Sequence, residues 1–393
     1  MLNLKVAGRI GVFAVILFLL GAAFVFIPLS DETNGVIPTS YDNSDLTPFT
    51  GTGTELDPYK ITNAGNLKKF AHDVNHGIIL TKGKYFSLTA DINLSTLSDY
   101  DSYGWIPVGD YWNSSFKGIF DGNGHKITNL WVGSGFAYAG LFGTIGENAI
   151  VKNLGVEVAL GKSVVATGSG QSVHAGVLAG ESSRSIVQNC YAIGNVSAMV
   201  TSSHWNSDAG GLIGVSVSGS TTDSYAKGNA TATNSSGAAY AGGLVGSSYG
   251  TIERCYATGQ AIANAKESYS GGLTGYGSGK DSYYLESYSG AYTSSGGKSI
   301  SSSQLYDRDT FSSWNIDSTS SSWIMQSSGP SLKVFGGSGS GLPAYPSVPV
   351  NPTNPDNLGS GGDSTIIIVA VAVVVVLAIA GVVLFLRSKI HLK

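Results

Sequence analysis

Residues 241–270 read AGGLVGSSYGTIERCYATGQAIANAKESYS and form one unit of an internal repeat. The opening hexapeptide of this unit returns as YAGLFG (138–143), AGVLAG (175–180), AGGLIG (209–214) and SGGLTG (270–275). The closing glycines of these five motifs are 37, 34, 32 and 29 residues apart. A period of about 30 residues is typical of stacked copies of one supersecondary unit, in which each copy buries the apolar face of its neighbour.

Each unit predicts three short strands, at GGLVG, TIERCYA and QAIANA in residues 241–270. Three strands in about 30 residues are typical of one coil of a parallel β-helix, with right-handed connections between strands. Glycine is expected at the corners, where the chain needs positive φ or close backbone approach. The sequence therefore predicts an all-β protein, a parallel right-handed β-helix.

Several columns of equivalent residues follow from aligning the units. The motif leucines are expected to point inward and stack, and the closing glycines to lie at the corners. The tyrosines after the cysteine position form a further column, which points inward or lines a flank. These leucines, glycines and tyrosines are Leu141, Leu178, Leu212, Leu244 and Leu273; Gly143, Gly180, Gly214, Gly246 and Gly275; and Tyr191, Tyr225, Tyr256 and Tyr283.

The two cysteines, Cys190 and Cys255, occupy matching positions in units separated by one other, which has Ser224 there. Stacked coils would place them two strand spacings apart, about 9–10 Å. A disulfide requires Cα atoms within about 7 Å. We therefore expect two free, buried cysteines.

Two apolar segments flank the rest of the chain. Residues 10–27 carry no charge and follow Lys5 and Arg9, so they are a cleaved signal peptide or an uncleaved anchor. Residues 365–386 are apolar or small, long enough to cross a bilayer, and basic residues follow them. The positive charges at both ends place residues 30–364 outside a cell membrane, crossed once or twice.

These features divide the chain into eight predicted parts. The helix Ala64–Asn75, with apolar residues at positions 67, 70, 71 and 74, is expected to cover the first coil. The parts are a signal peptide or anchor (1–29), a linker (30–49), an N-terminal cap with the first coils (50–132), the repeats (133–290), a C-terminal cap sealing the last coil (291–335), a Gly/Ser/Pro stalk (336–364), a transmembrane helix (365–386) and a cytoplasmic tail (387–393).

Charge and sequons bear on the surroundings of the protein. Only 12% of the 393 residues are charged and the net charge is −4, which argues against binding to nucleic acid. Five sequons are compatible with an exported glycoprotein. Two of them, Asn195 and Asn229, hold the same place in successive units. The sequons lie at Asn93, Asn113, Asn195, Asn229 and Asn234.

The units AGVLAG…NCYAIG, AGGLIG…DSYAKG, AGGLVG…RCYATG and SGGLTG…DSYY resemble the GLUG-motif family, named for its Gly-Leu-hydrophobic-Gly core. The resemblance covers roughly residues 50–335. It implies a secreted or surface-anchored β-solenoid of bacteria or archaea, often adhesin-like. GLUG repeats also accompany immunoglobulin-A-cleaving metallopeptidases, as a separate domain. None of the six histidines here precedes a glutamate, so no such zinc motif is present.

No catalytic or metal site, and no cofactor, is predicted with a complete motif. Asp99, Asp101 and Asp110 partly resemble a calcium loop, but Tyr103 occupies a ligand position and an acidic surface loop is the simpler interpretation. Acidic residues in the units form no recurring pair such as a glycosidase needs.

The sequence thus predicts a non-catalytic, adhesin-like surface protein whose partners are cell-surface glycans or proteins. The alternative is a carbohydrate-active β-helix enzyme. Several aromatic residues are candidates for stacking on sugars or for packing: Tyr138, Tyr240, Tyr249, Tyr269 and Trp205.

Overall fold

A computed structural model describes residues 45–98, 100, 104–109, 114–201, 204–286 and 296–336. In these ranges no helix combines the length and the apolar character needed to span a membrane. The predicted segments 10–27 and 365–386, the stalk 337–364 and the partial calcium loop with Asp99, Asp101 and Asp110 all lie outside the described residues.

The chain opens with a small helix-bearing region before the repeats. Helix α1 begins after Asn63, whose side chain accepts a hydrogen bond from the Asn66 backbone, and its buried face includes Phe70. The Phe70 ring lies 4.6–5.7 Å from those of Phe86, Phe116 and Phe120. The elements are β1 (Tyr59–Ile61), α1 (Ala64–Asn75), β2 (Tyr85–Leu88), β3 (Ile92–Asn93), a 3₁₀ helix (Leu94–Thr96) and β4 (Ile119–Leu130).

Five coils follow, and each is built from short strands. Coil one has β5 (Tyr138–Ala139), β6 (Phe142–Ile145), β7 (Ile150–Val158) and β8 (Ser163–Gly168). Coil two has β9 (Val173–Gly176), β10 (Ala179–Ser183), β11 (Ile186–Gln188), β12 (Tyr191–Ile193) and β13 (Asn195–Val200). Coil three has β14 (Ser207–Gly210), β15 (Ile213–Val217), β16 (Ser220–Thr222), β17 (Tyr225–Lys227) and β18 (Ala230–Asn234).

Coil four has β19 (Ala238–Gly242), β20 (Val245–Ser248), β21 (Thr251–Glu253), β22 (Tyr256–Ala257) and β23 (Ala261–Asn264). Coil five has β24 (Glu267–Gly271), β25 (Thr274–Tyr276), β26 (Gly279–Lys280) and β27 (Tyr283–Leu285), and β28 (Lys298–Ile300) pairs with β27. The C-terminal residues form α2 (Ser302–Leu305), 3₁₀ helices (Arg308–Trp314, Lys333–Phe335) and the hairpin β29 (Trp323–Gln326) and β30 (Gly329–Leu332).

Equivalent strands stack in parallel and in register into four sheets, which we number in the order the chain visits them. Sheet 1 contains β5, β9, β14, β19 and β24, and sheet 2 contains β6, β10, β15, β20 and β25. Sheet 3 runs from β1, β2, β3 and β4 through β7 to β28, and sheet 4 contains β8, β13, β18 and β23. The protein is therefore an all-β parallel solenoid, as the repeat period predicts.

A complete coil has five strands, not the three that the sequence predicts. The segment TIERCYA is divided because Arg254 takes a left-handed φ of 51°, which ends β21 before β22 begins. Asn153, Asn189, Asp223 and Asp281 adopt the same conformation in the other coils. Asn and Asp tolerate this region because their short polar side chains bond locally. The corner thus uses mainly these residues where we expected glycine.

The motif leucines form a fully buried column between sheets 1 and 2. Leu178 donates a backbone hydrogen bond to Leu212, Leu212 to Leu244, and Leu244 to Leu273, each at 2.8–3.0 Å, while every motif leucine is 0% exposed. The closing glycines beside them permit close backbone approach. A Cβ on Gly214 would lie 2.5 Å from the Gly180 carbonyl oxygen, and one on Gly246 would lie 2.6 Å from that of Gly214.

The tyrosine column lies on the outer side of sheet 3, whereas Ala192, Ala226 and Ala257 of the same strands join the core. The Tyr225 ring stacks on those of Tyr191 and Tyr256 at 5.2 and 4.9 Å, with planes within 10°. We call Tyr191, Tyr225, Tyr256 and Tyr283 the tyrosine ladder. The sequence left open whether these tyrosines point inward or line a flank, and in the structure they line a flank.

Residues 302–336 cover this ladder, and we call them the strap. Phe311 and Trp314 pack on Tyr283 in coil five, and Trp323 packs on Tyr225 and Tyr256. Phe335 reaches Tyr191 in coil two. The aromatic residues expected to seal the last coil therefore run back along the side of four coils, because the ladder offers a longer apolar surface than the end of one coil.

Both ends of the described body lie at the region that precedes coil one. The Asp45 carboxylate accepts hydrogen bonds from the backbone and hydroxyl of Ser98. At the other end, a Cβ on Gly124 of β4 would meet the Val334 carbonyl oxygen at 2.2 Å. Asp45 and Val334 therefore both lie beside elements that precede coil one.

The two cysteines are free and buried, as the spacing predicts. Ser224 lies between them in the column, and its hydroxyl accepts a hydrogen bond from the Cys190 backbone. Burial raises the pKa of both thiols to about 12. The cysteines are therefore unreactive at neutral pH, since the thiolate is the reactive form.

Candidate functional site

Sheets 1 and 2 bring two columns of side chains into contact, and we call this contact zone the seam. The sharp turn at each motif places residues of neighbouring strands opposite each other, as His174 in β9 faces Glu181 in β10. The register fixes the members of each column. The sheet 1 column is Tyr138, His174, Asp208, Tyr240 and Tyr269, and the sheet 2 column is Thr144, Glu181, Val215, Ser247 and Tyr276.

The seam is charged in coils two and three. The His174 ring has Nδ1 3.3 Å from Glu181 Oε2 and Nε2 3.6 Å from Asp208 Oδ2. Asp208 Oδ1 also accepts a hydrogen bond from the hydroxyl of Ser247 in coil four. All four side chains are buried. Three successive coils are thus joined by polar contacts in an apolar surrounding.

We call His174, Glu181 and Asp208 the trio, and two observations show how tightly it is enclosed. Burial raises the pKa of Asp208 to about 6, because desolvation of the carboxylate outweighs its attraction to His174 and its bond to Ser247. His174 Nδ1 lies at ion-pair distance from Glu181, yet its geometry makes no hydrogen bond with any described residue. The trio is sealed from solvent and offers no open position for a substrate.

We expect Asp208→Asn to change how stability depends on pH. The pKa of Asp208 is about 6 in the folded chain and 3.8 as its ordinary value, so the folded form holds the proton more tightly. Its contribution to stability is full below about pH 4 and is lost as the pH rises through about 6. Relative to the wild type, Asp208→Asn should gain up to roughly 2–3 kcal/mol between pH 4 and 7.

Unfolding of the full chain in detergent, followed at several pH values, would measure this difference. The exposed Asp309→Asn serves as the control and should show the pH dependence of the wild type. Parallel curves for Asp208→Asn and wild type would contradict the assignment.

The seam becomes aromatic and open in coils four and five. Tyr240 stacks on Tyr269 at 4.8 Å, and Tyr276 lies 6.3 Å from Tyr240 and 5.1 Å from Tyr249. We call Tyr240, Tyr249, Tyr269 and Tyr276 the tyrosine cluster. Tyr249 and Tyr276 are 57% and 47% exposed, so their rings are available to a ligand. Burial raises the pKa of Tyr240 to about 12, and neighbouring acidic groups act in the same direction.

The aromatic residues singled out in the sequence have different positions. The structure brings Tyr240, Tyr249 and Tyr269 together and adds Tyr276, which the sequence did not single out. Tyr138 is buried and meets the His174 ring at 5.1 Å, so it packs. Trp205 is exposed in the turn before coil three, outside the cluster.

The four described sequons differ in accessibility, and Asn113 lies outside the described residues. Asn93 and Asn195 are exposed and Asn229 is half-buried. Asn195 Oδ1 accepts from the Asn229 backbone, and Asn229 Oδ1 accepts from that of Gln260. Asn234 is buried, and its amide nitrogen donates to the carbonyl oxygens of Trp205 and Ala238. A glycan on Asn234 would break this network, so the structure argues against that site.

The sequence missed the trio because His174 and Asp208 hold equivalent positions in successive coils but differ in type, while Glu181 belongs to the other column. His174, Asp208 and Tyr240 share a register position, which the alignment of AGVLAG, AGGLIG and AGGLVG already implies. The residue before each motif alanine is the signal that identifies this column. Among the described residues, no group of three or more His, Cys, Asp or Glu is arranged to hold a metal ion.

Comparison with known proteins identifies the GLUG motif at residues 237–263. These residues span strands β19 to β23 of coil four. Over 105 residues the chain is 39% identical to a protein of Evansella cellulosilytica provisionally described as a Gly-rich membrane protein, covering 26% of this chain and 11% of that one. Over 168 residues it is 32% identical to halomucin of Haloquadratum walsbyi, covering 41% and 2%. The chain thus spans only a small part of either relative.

Among solved structures, a candidate immunoglobulin A1 protease from Bacteroides ovatus superimposes with a TM-score of 0.50 at 19% identity. The match covers 72% of this chain and 95% of the other. At this identity the similarity concerns the fold alone. The predicted resemblance to GLUG-motif proteins is confirmed by the motif match.

Proposed function

Because this chain carries GLUG repeats, we propose that it is a cell-surface protein whose solenoid lies outside the membrane and binds a partner there without catalysis. The observation that carries the binding role is the tyrosine cluster, where four rings gather and two of them are about half exposed. Large exposed aromatic groups in contact with one another mark interaction sites on soluble surfaces. The partners we propose are glycans or proteins of a cell surface, as for an adhesin.

The membrane role of the proposal rests on the sequence outside the described residues. Residues 365–386 have the length and composition of a membrane helix, and residues 387–393 carry three of the basic side chains of the chain. A relative described as a Gly-rich membrane protein supports the same placement.

The enclosure of the trio supports a non-catalytic role. A glycosidase needs two carboxyl groups that reach the scissile bond. Glu181 and Asp208 are each 2% exposed and contact His174 or Ser247 instead. We therefore favour a binding role over the alternative of a carbohydrate-active enzyme. We expect the purified chain to release no reducing sugar from polysaccharides.

Truncation tests the placement at the surface. A chain that ends at residue 364, with residues 1–29 replaced by a cleavable signal peptide, should appear in the medium, whereas the full chain should stay with the membrane fraction. On intact cells, a protease that cannot cross membranes should remove the solenoid of the full chain. A matched truncation ending at residue 386 keeps the apolar segment and should remain in the membrane. Protection of the solenoid in intact cells would contradict the proposal.

A further inference from the structure

We propose that the tyrosine cluster binds a ligand that presents a quaternary ammonium group. This inference rests on the proposed binding role and names the chemistry that the cluster recognises. Three features of the described residues carry it: the orientation of the rings, the sign of the charges around them, and their exposure.

The rings of the cluster face different directions. Tyr276 lies at the centre, with its plane at 80° to that of Tyr240 and at 42° to that of Tyr249. Tyr269 supports Tyr240 from behind, because these two rings are parallel within 8° at 4.8 Å. Grouped, non-parallel rings offer a methylated ammonium group more than one π-face, and each face attracts it when the cation lies within about 6 Å of the ring centroid.

Two carboxylates lie close to the cluster. Glu267 lies two residues before Tyr269 in β24 and therefore shares its side of the strand. Asp208 is the register neighbour of Tyr240, one coil away. Both carboxylates contribute to raising the pKa of Tyr240, and Asp208 also raises that of Tyr249.

A cation fits this surface better than a neutral sugar does. A tyrosine face is the negative end of the ring quadrupole and attracts a cation, and the nearby carboxylates add to the attraction. A pyranose would stack on the same rings but gains nothing from the sign of the charge. A quaternary ammonium group also has a low desolvation cost and no hydrogen-bond donor. It therefore does not need the Asp208 oxygen that already accepts a hydrogen bond from Ser247.

Titration of the full chain with choline chloride tests the proposal. The chain is held in a polyoxyethylene detergent, which carries neither ammonium nor sugar. The uncharged isostere 3,3-dimethylbutan-1-ol and methyl α-glucoside are titrated in parallel, and tyrosine absorbance with calorimetry reports binding. We expect millimolar binding of choline and at least about fivefold weaker binding of the isostere.

Variants locate the site. Tyr276→Leu keeps apolar bulk but removes the π-face, and Glu267→Gln removes a charge while keeping the shape; each should weaken choline binding about three- to tenfold. Tyr306→Leu is the matched control, since Tyr306 is 55% exposed and lies in the strap, and it should bind as the wild type. Circular dichroism and melting temperature report whether each variant keeps the fold.

The outcomes are distinct. Equal binding of the isostere, an unchanged affinity in Tyr276→Leu, or binding of the glucoside without choline would each overturn the ammonium assignment. None of these results depends on where the protein is located, so failure here leaves the surface-placement test unaffected. Conversely, a protected solenoid in intact cells would refute the surface role even if choline binds.

Discussion

Replacing Trp323 by alanine is expected to lower the free energy of unfolding by about 3–5 kcal/mol, as for other buried tryptophan truncations. Trp323 is fully buried in the strap, with its ring centroid 4.6 Å from Trp314 and 5.8 Å from Tyr256. Its Nε1 donates a hydrogen bond of 3.0 Å to Asp223 Oδ1. The truncation removes this bond and opens a cavity over the middle of the ladder.

Asp223 makes this site sensitive to polarity as well as volume. It holds the left-handed corner of coil three and receives two hydrogen bonds of 2.8 Å from Arg254. Trp323→Phe keeps one aromatic ring but removes the donor to a charged acceptor, and that loss alone should cost about 1.5–3 kcal/mol. The graded losses separate the packing of Trp323 from its hydrogen bond.

Chemical unfolding of the full chain in detergent measures both losses. Trp205→Ala is the matched control because Trp205 is 56% exposed, and it should change stability by less than about 0.5 kcal/mol. If Trp323→Ala behaved like Trp205→Ala, the strap would not be packed on the ladder as described.

Leu212→Ala should destabilise the solenoid by about 2–5 kcal/mol. Leu212 is fully buried in the motif column, and its backbone bonds to both neighbouring coils. The backbone of each coil is fixed to the next, so the cavity cannot collapse easily. The loss should therefore lie above that of an average buried leucine in a deformable site.

Leu160→Ala provides the comparison, since Leu160 is 83% exposed in the turn between β7 and β8. It should leave the unfolding midpoint almost unchanged. Thermal or denaturant unfolding of both variants distinguishes the two positions, and equal midpoints would be incompatible with a stacked leucine column.

The repeat motif made the solenoid predictable because it recurs at short, regular separations. Equivalent leucines differ by 29–37 residues, so one alignment reveals the stacking, the buried column and the separation of the cysteines. The corner at Arg254 was not predictable in the same way. Arginine rarely adopts positive φ, and only the neighbouring coils, which have Asn or Asp there, show that the position demands it.

The strap and the seam depend on contacts that the repeat does not encode. Trp323 bonds Asp223 across 100 residues, and the strap itself has no repeat. The tyrosine ladder could be aligned, but which side of the strand it occupies depends on what covers it. In the seam, His174 and Asp208 share a column but differ in type. A search for identical residues in successive units therefore does not find them.

The strap also limits how many coils this solenoid can have. It contacts Tyr283 in coil five and Tyr191 in coil two with a fixed length of chain. Each additional coil would lengthen the stack by about 4.8 Å, or roughly one and a half extended residues. An inserted or deleted repeat would therefore move Trp323 and Phe335 away from the tyrosine rings that they contact. The strap acts as a molecular ruler, so this array cannot gain or lose units as freely as an uncovered solenoid can.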